Sequence, residues 1–344
     1  MRKKIIAFFM ATMMVGILVA CSSAGGNSAP NSSGSTGGAS GTSSTESSAP
    51  EASEVKWPKN VEIIVPAGAG GDTDYNARML ADKLSKKLKP NFVVSNVSGN
   101  GGATGTRQVK DAANDGSSVL FYHSAFVVNE LSGTTDYGFD SYEFAAIAAK
   151  NPGNVVVVNT KLGVNSLQEL FDYAKANPGK LKMAAQTGAT SYAVSTLLKQ
   201  QGLDVNIVDA GSAADRMAAL LGGHVDIILA AYGSVKDYIT EGELIALAMD
   251  GDEDLEAAGL KSIVNEGYDV KLPFYYFFAF PKGTDQAMVD EFSAAVKDIV
   301  ENDSEYAEAI SSTYYQTPTY YNAQDGLAKF DEVYDILKDI DFSK

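Results

Sequence analysis

From residue 57 to residue 281, short runs of β-branched and aromatic residues alternate with stretches whose apolar positions recur at helical spacing. Val61, Ile63, Ile64 and Val65 form the first run, which reads as a buried strand over 61–65. A Gly-rich turn follows. Ala77, Leu80, Leu84 and Leu88 then recur three or four apart and predict a helix over 75–88. Residues 92–97 read as the next strand, a second glycine cluster opens a short helix over 104–113, and 117–122 is a third strand. Strand, glycine turn, helix and strand at this spacing predict βαβ units and a largely parallel sheet.

The pattern restarts at the four valines of 155–158. Ser166 and Glu169, three apart, form a capping box in which hydroxyl and carboxylate satisfy the first free amides of a helix. Asn177-Pro178-Gly179 stops that helix. Further strands are expected at 181–185, 205–208, 225–230 and 244–249, with a last one at 275–280, and the tail from Thr284 reads as helices only. A strand-poor tail must pack on a sheet made elsewhere. The expectation is therefore a discontinuous first domain, 56–155 plus 277–344, and an inserted second domain, 156–276. Crossover strands near 155–158 and 276–280 would form the hinge. Ligands of open α/β sheets bind at the carboxyl ends of the strands, so two such domains facing each other enclose a cleft.

The first 55 residues follow another pattern. Arg2, Lys3 and Lys4 precede an uncharged, mostly apolar run over 5–20, and Leu18-Val19-Ala20-Cys21 ends it with small residues before a cysteine. This is the layout of a secretory signal, and the cysteine at the cut resembles a bacterial lipobox. Sixteen helical residues rise roughly 24 Å, short of the ~30 Å hydrocarbon core, which disfavours a retained membrane span. We therefore expect a signal peptide over 1–20, lipidation at Cys21 and an extracytoplasmic location on the cell membrane. Residues 21–55 are mostly Ser, Gly, Thr, Ala, Asn and Pro, the composition of a flexible tether.

Charge and cysteine content narrow the function. The net charge is −16, and losing Arg2, Lys3 and Lys4 makes it more negative still. Such acidity argues against nucleic acid and against an electrostatic membrane patch. An anionic ligand must therefore be held by local donors. Cys21 is the sole cysteine, so acylation leaves no thiol for a disulfide, a metal or catalysis. No motif calls for a cofactor, and a monomer is expected.

Four polar, Gly-containing turns run from a strand into a helix: residues 66–74, 96–105, 186–192 and 210–215. Glycines let backbone approach a ligand, and a helix start offers unpaired N–H groups with partial positive charge. The first turn, Pro66-Ala67-Gly68-Ala69-Gly70-Gly71-Asp72-Thr73-Asp74, has no Gly-Lys-Ser/Thr and is not a phosphate loop of the Walker type. It reads equally as a tight turn capped by Asp72 or Thr73. Arg78, Arg107 and Arg216 are the arginines beyond the signal, each inside a predicted helix after such a turn. Surface ion pairs account for at least two of them; Arg216 can reach the cleft.

These stretches resemble the substrate-binding proteins of tripartite tricarboxylate transporters. The resemblance rests on Trp57-Pro58, Gly70-Gly71-x-x-Asp74-x-x-Ala77-Arg78, Gly99-x-Gly101-Gly102, Asp115-Gly116, Ala174-Lys175-Ala176-Asn177-Pro178-Gly179, Leu220-Leu221-Gly222-Gly223-His224-Val225-Asp226 and Phe280-Pro281-Lys282-Gly283-Thr284. It implies a type II periplasmic-binding fold of class α/β, with two βαβ domains, a hinge and a ligand cleft. It also implies capture of a small carboxylate and its transfer to integral membrane permease subunits. Carried over by position, Ala69, Gly70, Gly71, Thr73 and Asp74 face Thr187, Gly188, Thr190 and Ser191, and Ser124 also faces the ligand. Two departures stand out. Tyr192 replaces a histidine common among relatives. Asp209-Ala210-Gly211-Ser212 replaces Pro-Tyr-Lys-Gly, so Gly211 and Ser212 line an altered far wall that puts a tricarboxylate in doubt.

His123 and His224 lie far apart with no thiol to help them, which makes no metal site. His123, at a strand's carboxyl end, is a candidate for the cleft, whereas His224 reads as part of a turn. Asp72 and Asp74 are too few for calcium. Ser124 or Ser191 with His123 lacks the Gly-x-Ser-x-Gly elbow of a hydrolase, so no enzyme is expected. A receptor that loads a signalling ectodomain is the alternative to transport, and both use the same cleft.

Overall fold

The computed structural model describes residues 55–342; the signal, Cys21 and nearly all of the tether lie outside them. The first half of the first lobe runs β1 (Asn60–Val65), α1 (Asp72–Lys87), β2 (Asn91–Asn96), α2 (Ala103–Lys110), β3 (Ser118–His123), α3 (Ala125–Leu131) and β4 (Tyr142–Asn151). The second lobe follows as β5 (Asn154–Asn159), α4 (Leu167–Ala176), β6 (Leu181–Ala185), α5 (Thr190–Gln200), β7 (Val205–Asp209), α6 (Ala213–Leu221), β8 (Ile227–Ala231), α7 (Tyr232–Thr240) and β9 (Leu244–Met249). The chain then returns through β10 (Phe274–Pro281), α8 (Gln286–Asn302), α9 (Ser304–Tyr314), β11 (Thr317–Asn322) and α10 (Ala323–Leu337). Five strands ordered β7-β6-β8-β5-β9 make one sheet, and six ordered β11-β4-β10-β3-β1-β2 make the other. The fold is α/β of the type II periplasmic-binding kind.

The sheets are mixed, which corrects the expectation of a largely parallel arrangement. Parallel pairing joins β1 to β2 and β3, and β6 to β7 and β8. The strand that follows each lobe crossing runs the other way: β10 is antiparallel to β3 and β4, and β5 is antiparallel to β8 and β9. The crossings themselves sit outside the predicted strands. β5 and β10 are full sheet members, and the chain passes between lobes at Pro152-Gly153 and between β9 and β10. The two passages touch: a Cβ on Gly153, whose φ is +123°, would lie 2.5 Å from the Gly251 amide nitrogen. No side chain fits there.

Two strands escaped the pattern. β4 contains four alanines, a residue that favours helices when packing does not decide. Here packing decides. Phe144 and Ile147 join Phe330 and Val333 of α10, while Ala145, Ala146, Ala148 and Ala149 join Phe292 and Val296 of α8. Small residues on that second face let the helix approach the strand. β11 corrects the reading of an all-helical tail; it is a half-buried edge strand pairing with β4, and Pro318 is tolerated because it lies on an edge. The aromatic run of β10 is wholly buried core.

Candidate ligand-binding cleft

In the first lobe the turn after β1 is shaped by its own helix. Asp74, buried in α1, accepts a hydrogen bond from the Gly70 amide (2.8 Å) and another from Arg78 Nε (3.1 Å). Arg78 also donates to Asn96 Oδ1 (2.9 Å), and Asn96 Nδ2 donates to the Ala67 carbonyl (3.1 Å). Burial works against ionisation of Asp74, but Arg78 and the Gly70 amide outweigh it and hold the carboxyl below its ordinary pKa. Gly70 has φ +81°, open to glycine and strained for other residues. Tyr314 donates its hydroxyl to the Gly70 carbonyl (3.0 Å), fixing the turn from the tail side.

Asp72 points elsewhere. Its carboxylate accepts from the Tyr276 hydroxyl and from Asn151 Nδ2 (3.1 Å), beside the lobe crossing. Asn151 and Gln316 also donate to the Tyr276 oxygen (2.8 and 3.0 Å), Asn76 donates to Gln316 Oε1 (2.6 Å), and Tyr306 donates to Asn76 Oδ1 (3.0 Å). Burial pushes the Asp72 carboxyl up despite these donors.

In the second lobe the equivalent turn is shaped from a neighbouring strand. Asp209, at the end of β7, accepts from the Thr187 amide (3.1 Å) and the Gly211 amide (3.0 Å). Ser191 Oγ accepts from the Gln186 amide (3.1 Å). Ser212 and Asp215 form a complete capping box at the start of α6. At Ser166 only half of the predicted box forms. Its oxygen accepts from the Glu169 amide (3.1 Å), while Glu169 reaches back to the Asn165 amide (2.7 Å).

Two of the contacts between the lobes lie beside the helix starts. Thr187 and Gly188 lie against the second glycine cluster: a Cβ on Gly101 would sit 2.6 Å from the Thr187 oxygen, and one on Gly188 would sit 2.9 Å from Thr134 Oγ1. Asn129 Nδ2 bridges the junction, donating to the carbonyls of Gly101 (3.0 Å) and Gly188. Tyr122 also donates to Gly101 O (2.6 Å). A cavity of about 300 Å³ lined by Asn100, Thr104, Arg107 and Thr134 opens beside this contact. At the other place Gly233 of α7 abuts Thr313 and Tyr314, and Tyr232 packs edge-on against Tyr315 at 5.3 Å.

Helix starts separate into two groups. Among helices of eight residues or more, α4, α6, α8, α9 and α10 have side-chain caps, from Ser166, Ser212, Asp285, Asp303 and Asn322. The starts of α1, α2, α5 and α7 follow Gly71, Gly102, Ala189 and Ala231, with no side-chain cap. These four begin at the carboxyl ends of β1, β2, β6 and β8.

Residues 76–334 match the model of the tripartite tricarboxylate transporter family receptor. The chain belongs to this receptor family. Its members are substrate-binding receptors and not enzymes. The receptor is 28% identical over 250 residues to protein BugT of Bordetella pertussis, covering 70% of this chain and 76% of BugT. It is similar to the structure of periplasmic binding protein BugD, with TM-score 0.72 and 25% identity over 82% of this chain and 97% of that one. It shares the fold of MatC from Rhodopseudomonas palustris, solved with bound malate, with TM-score 0.73 and 20% identity over 81% of this chain and 98% of that one. No helix among the receptor's described residues is long and apolar enough to cross a membrane.

The site residues named from sequence divide by what their side chains do. Ala69, Gly70 and Gly71 present backbone at the start of α1, and Thr190 and Ser191 do so in the first turn of α5. Thr73 is buried beside Asp72, and Asp74 shapes the loop. Ser124 is fully buried, donating to the Pro273 carbonyl (2.8 Å) and accepting from the Tyr275 amide (3.1 Å). Tyr192 turns to the C-terminal segment, stacking on Phe342 and reaching its carbonyl (3.5 Å). His123 stacks on Phe274 at 4.4 Å, and burial pushes its pKa down to about 3, so it stays neutral. His224 is exposed in its turn. Arg78 and Arg107 are in ion pairs, with Asp74 and Asp136. Sequence reasoning passed over Asn129, Asn151 and Gln316, and took Tyr276 as part of an aromatic run in a crossover strand. The only sequence signal of the first three was a polar residue in an apolar run, a pattern with many explanations.

Proposed function

We propose that this receptor is an exported lipoprotein, anchored through Cys21. Its two lobes close on a small organic carboxylate and present it to the permease subunits of a tripartite-type transporter. The observation that carries the reading is the set of four helix starts without side-chain caps at the carboxyl ends of β1, β2, β6 and β8. A helix start leaves first-turn amides without intrahelical partners, with about half a unit of positive charge, and a carboxylate satisfies both; at α2 the Ala103 and Thr104 amides already donate to the Asn100 and Gly99 carbonyls. The other helices of eight residues or more carry their own caps, α6 among them although it too follows a parallel strand, β7. Binding through backbone also suits a chain whose net charge is −16, because it needs no cationic side chain. MatC, a structure of the same fold, was solved with malate, in keeping with a small carboxylate here. The lobes that move are divided at the crossings, so residues up to Asn151 with those from Phe274 onward move against 154–249, and Ala69, Gly70, Gly71, Thr187, Gly188, Thr190 and Ser191 supply the grip.

Thermal shift of the protein from Glu51 onward, against mono-, di- and tricarboxylates, sugars, amines and amino acids, tests the ligand class. A ligand at 100 times its Kd adds ~2.7 kcal/mol to the folded state. A shift with carboxylates alone, abolished by Gly71→Val, is the expected outcome; a shift only with sugars or amines overturns it. Fatty-acid incorporation that Cys21→Ser leaves unchanged would remove the anchor.

A further inference from the structure

Arg216 lies in the first turn of α6, four residues after the cap Ser212. Side chains on a helix lean toward its N-terminus, so a long one at this position runs back to the carboxyl end of β7. There Nη1 donates to the Gly211 carbonyl (2.8 Å). The residue is 8% exposed, and its Nε is buried with no hydrogen-bond partner. No carboxylate among the described residues forms an ion pair with it. Asp209 and Asp215 act on it electrostatically, yet both are already occupied. Asp209 holds the amides of Thr187 and Gly211, and Asp215 holds the amide and hydroxyl of Ser212.

The other buried cation behaves differently. Lys83, 5% exposed, is paired with Asp303 (3.1 Å) and Glu305. That is a structural ion pair. Arg216 is a guanidinium with five donors in a planar fork, of which the described residues take one. A buried cation left so far from satisfied is costly unless an anion completes it. The carboxyl end of β7, which Arg216 reaches, lies beside that of β6, after which Thr187 and Gly188 meet the first lobe.

We propose that Arg216 is the second lobe's anion receptor, and that the ligand is a dicarboxylate. One carboxylate caps the helix starts at the glycine turns, and the other takes the Nε edge of Arg216. Asp209 and Asp215 keep the guanidinium in place without closing on it. The proposal rests on the carboxylate reading above and sharpens it from acids in general to diacids.

The test is calorimetric titration of succinate and adipate beside butyrate and hexanoate, on the wild type, Arg216→Gln, Arg216→Lys and the control Lys86→Gln, an exposed cation paired with Asp82. The wild type and the control should bind one or both diacids at least about tenfold more tightly than the monoacid of equal length. Arg216→Gln should bring that ratio close to one while monoacid affinity changes less than about threefold; Arg216→Lys should keep part of the ratio. Each ratio is taken within one variant, so partial unfolding does not move it. Should Arg216→Gln not fold, Arg216→Lys is read by the same ratio. A wild type without diacid preference, or a substituted protein that retains the full preference, overturns the proposal. Equal loss of both acid classes with the fold intact makes Arg216 a support of the loop and overturns it too. A wild type that binds no carboxylate of either class sinks the ligand reading itself, a separate failure.

Discussion

The turn after β1 and the turn after β6 do the same job by different routes. Each has an amide held by an aspartate: Gly70 by Asp74 and Thr187 by Asp209. Asp74 is four residues from its amide, on the helix the turn opens, with Arg78 one helical turn further on. Asp209 is twenty-two residues from its amide and arrives on another strand. The first turn is a local device that the sequence can carry as a motif. The second exists only once β6 and β7 have paired. Their arginines differ in the same way: Arg78 is exposed and paired with Asp74, while Arg216 is buried and in no ion pair among the described residues.

The largest effect expected lies behind both turns, at the crossing. Asp250 is buried there, accepting from the Asn154 amide (2.6 Å), and burial pushes its pKa up to about 7 although Asn154 opposes the shift. A carboxyl raised in the folded state binds protons that the unfolded chain has released, so its contribution to stability falls as pH rises from about 4 to about 7. The loss reaches roughly 4 kcal/mol at ~1.4 kcal/mol per pKa unit. Urea unfolding of Asp250→Asn across that range should show a flatter pH dependence; an unchanged slope would rule this out.

With that slope removed, the two turns can be compared directly. Asp74→Ala leaves the Gly70 amide unpaired under the turn and should cost about 2–3 kcal/mol. Asp74 is held below its ordinary pKa. Its stabilisation is therefore complete above the unfolded value near 4 and is lost as pH falls through the lower folded one. Asp209→Ala removes the more exposed partner and should cost about 1 kcal/mol, with the same sign of pH dependence, because the amides of Thr187 and Gly211 and Arg216 outweigh its burial. Equal losses in denaturant melts would mean that local and long-range ties are equivalent here. Arg78→Ala should cost least, about 0.5–1 kcal/mol, and less at high salt, because its charge faces water. A loss as large as that of Asp74→Ala would make the ion pair, and not the Gly70 amide, the principal tie.

The hydrophobic periods of β1, α1, α4 and β6 read directly from the chain because each has one apolar face and one clear stop. The stretches Trp57-Pro58, Gly70-Gly71 and Leu220-Leu221-Gly222-Gly223 were enough to indicate the receptor family. The glycine turn at Gly70-Gly71 and the helix start at Thr190 were also legible, since glycine and a helix start announce themselves locally. Ser124 and Tyr192 were legible as positions but not as contacts, because the partners that occupy them, Pro273, Tyr275 and Phe342, lie about 150 residues away.

The sequence alone determined most of the segments that become strand, turn and helix, and where the chain is acidic, because propensity, period and charge act over a few residues. Tertiary structure decided the rest. It made β4 a strand against its alanines by burying both faces, and it turned β5 and β10 antiparallel where the chain changes lobe. It gathered Asp72, Asn151, Tyr276 and Gln316 into one buried network. It also left Arg216 buried with a single hydrogen bond among the described residues. Each of these depends on residues meeting across large sequence separations, where burial and hydrogen bonding outweigh the local preferences of the residues involved.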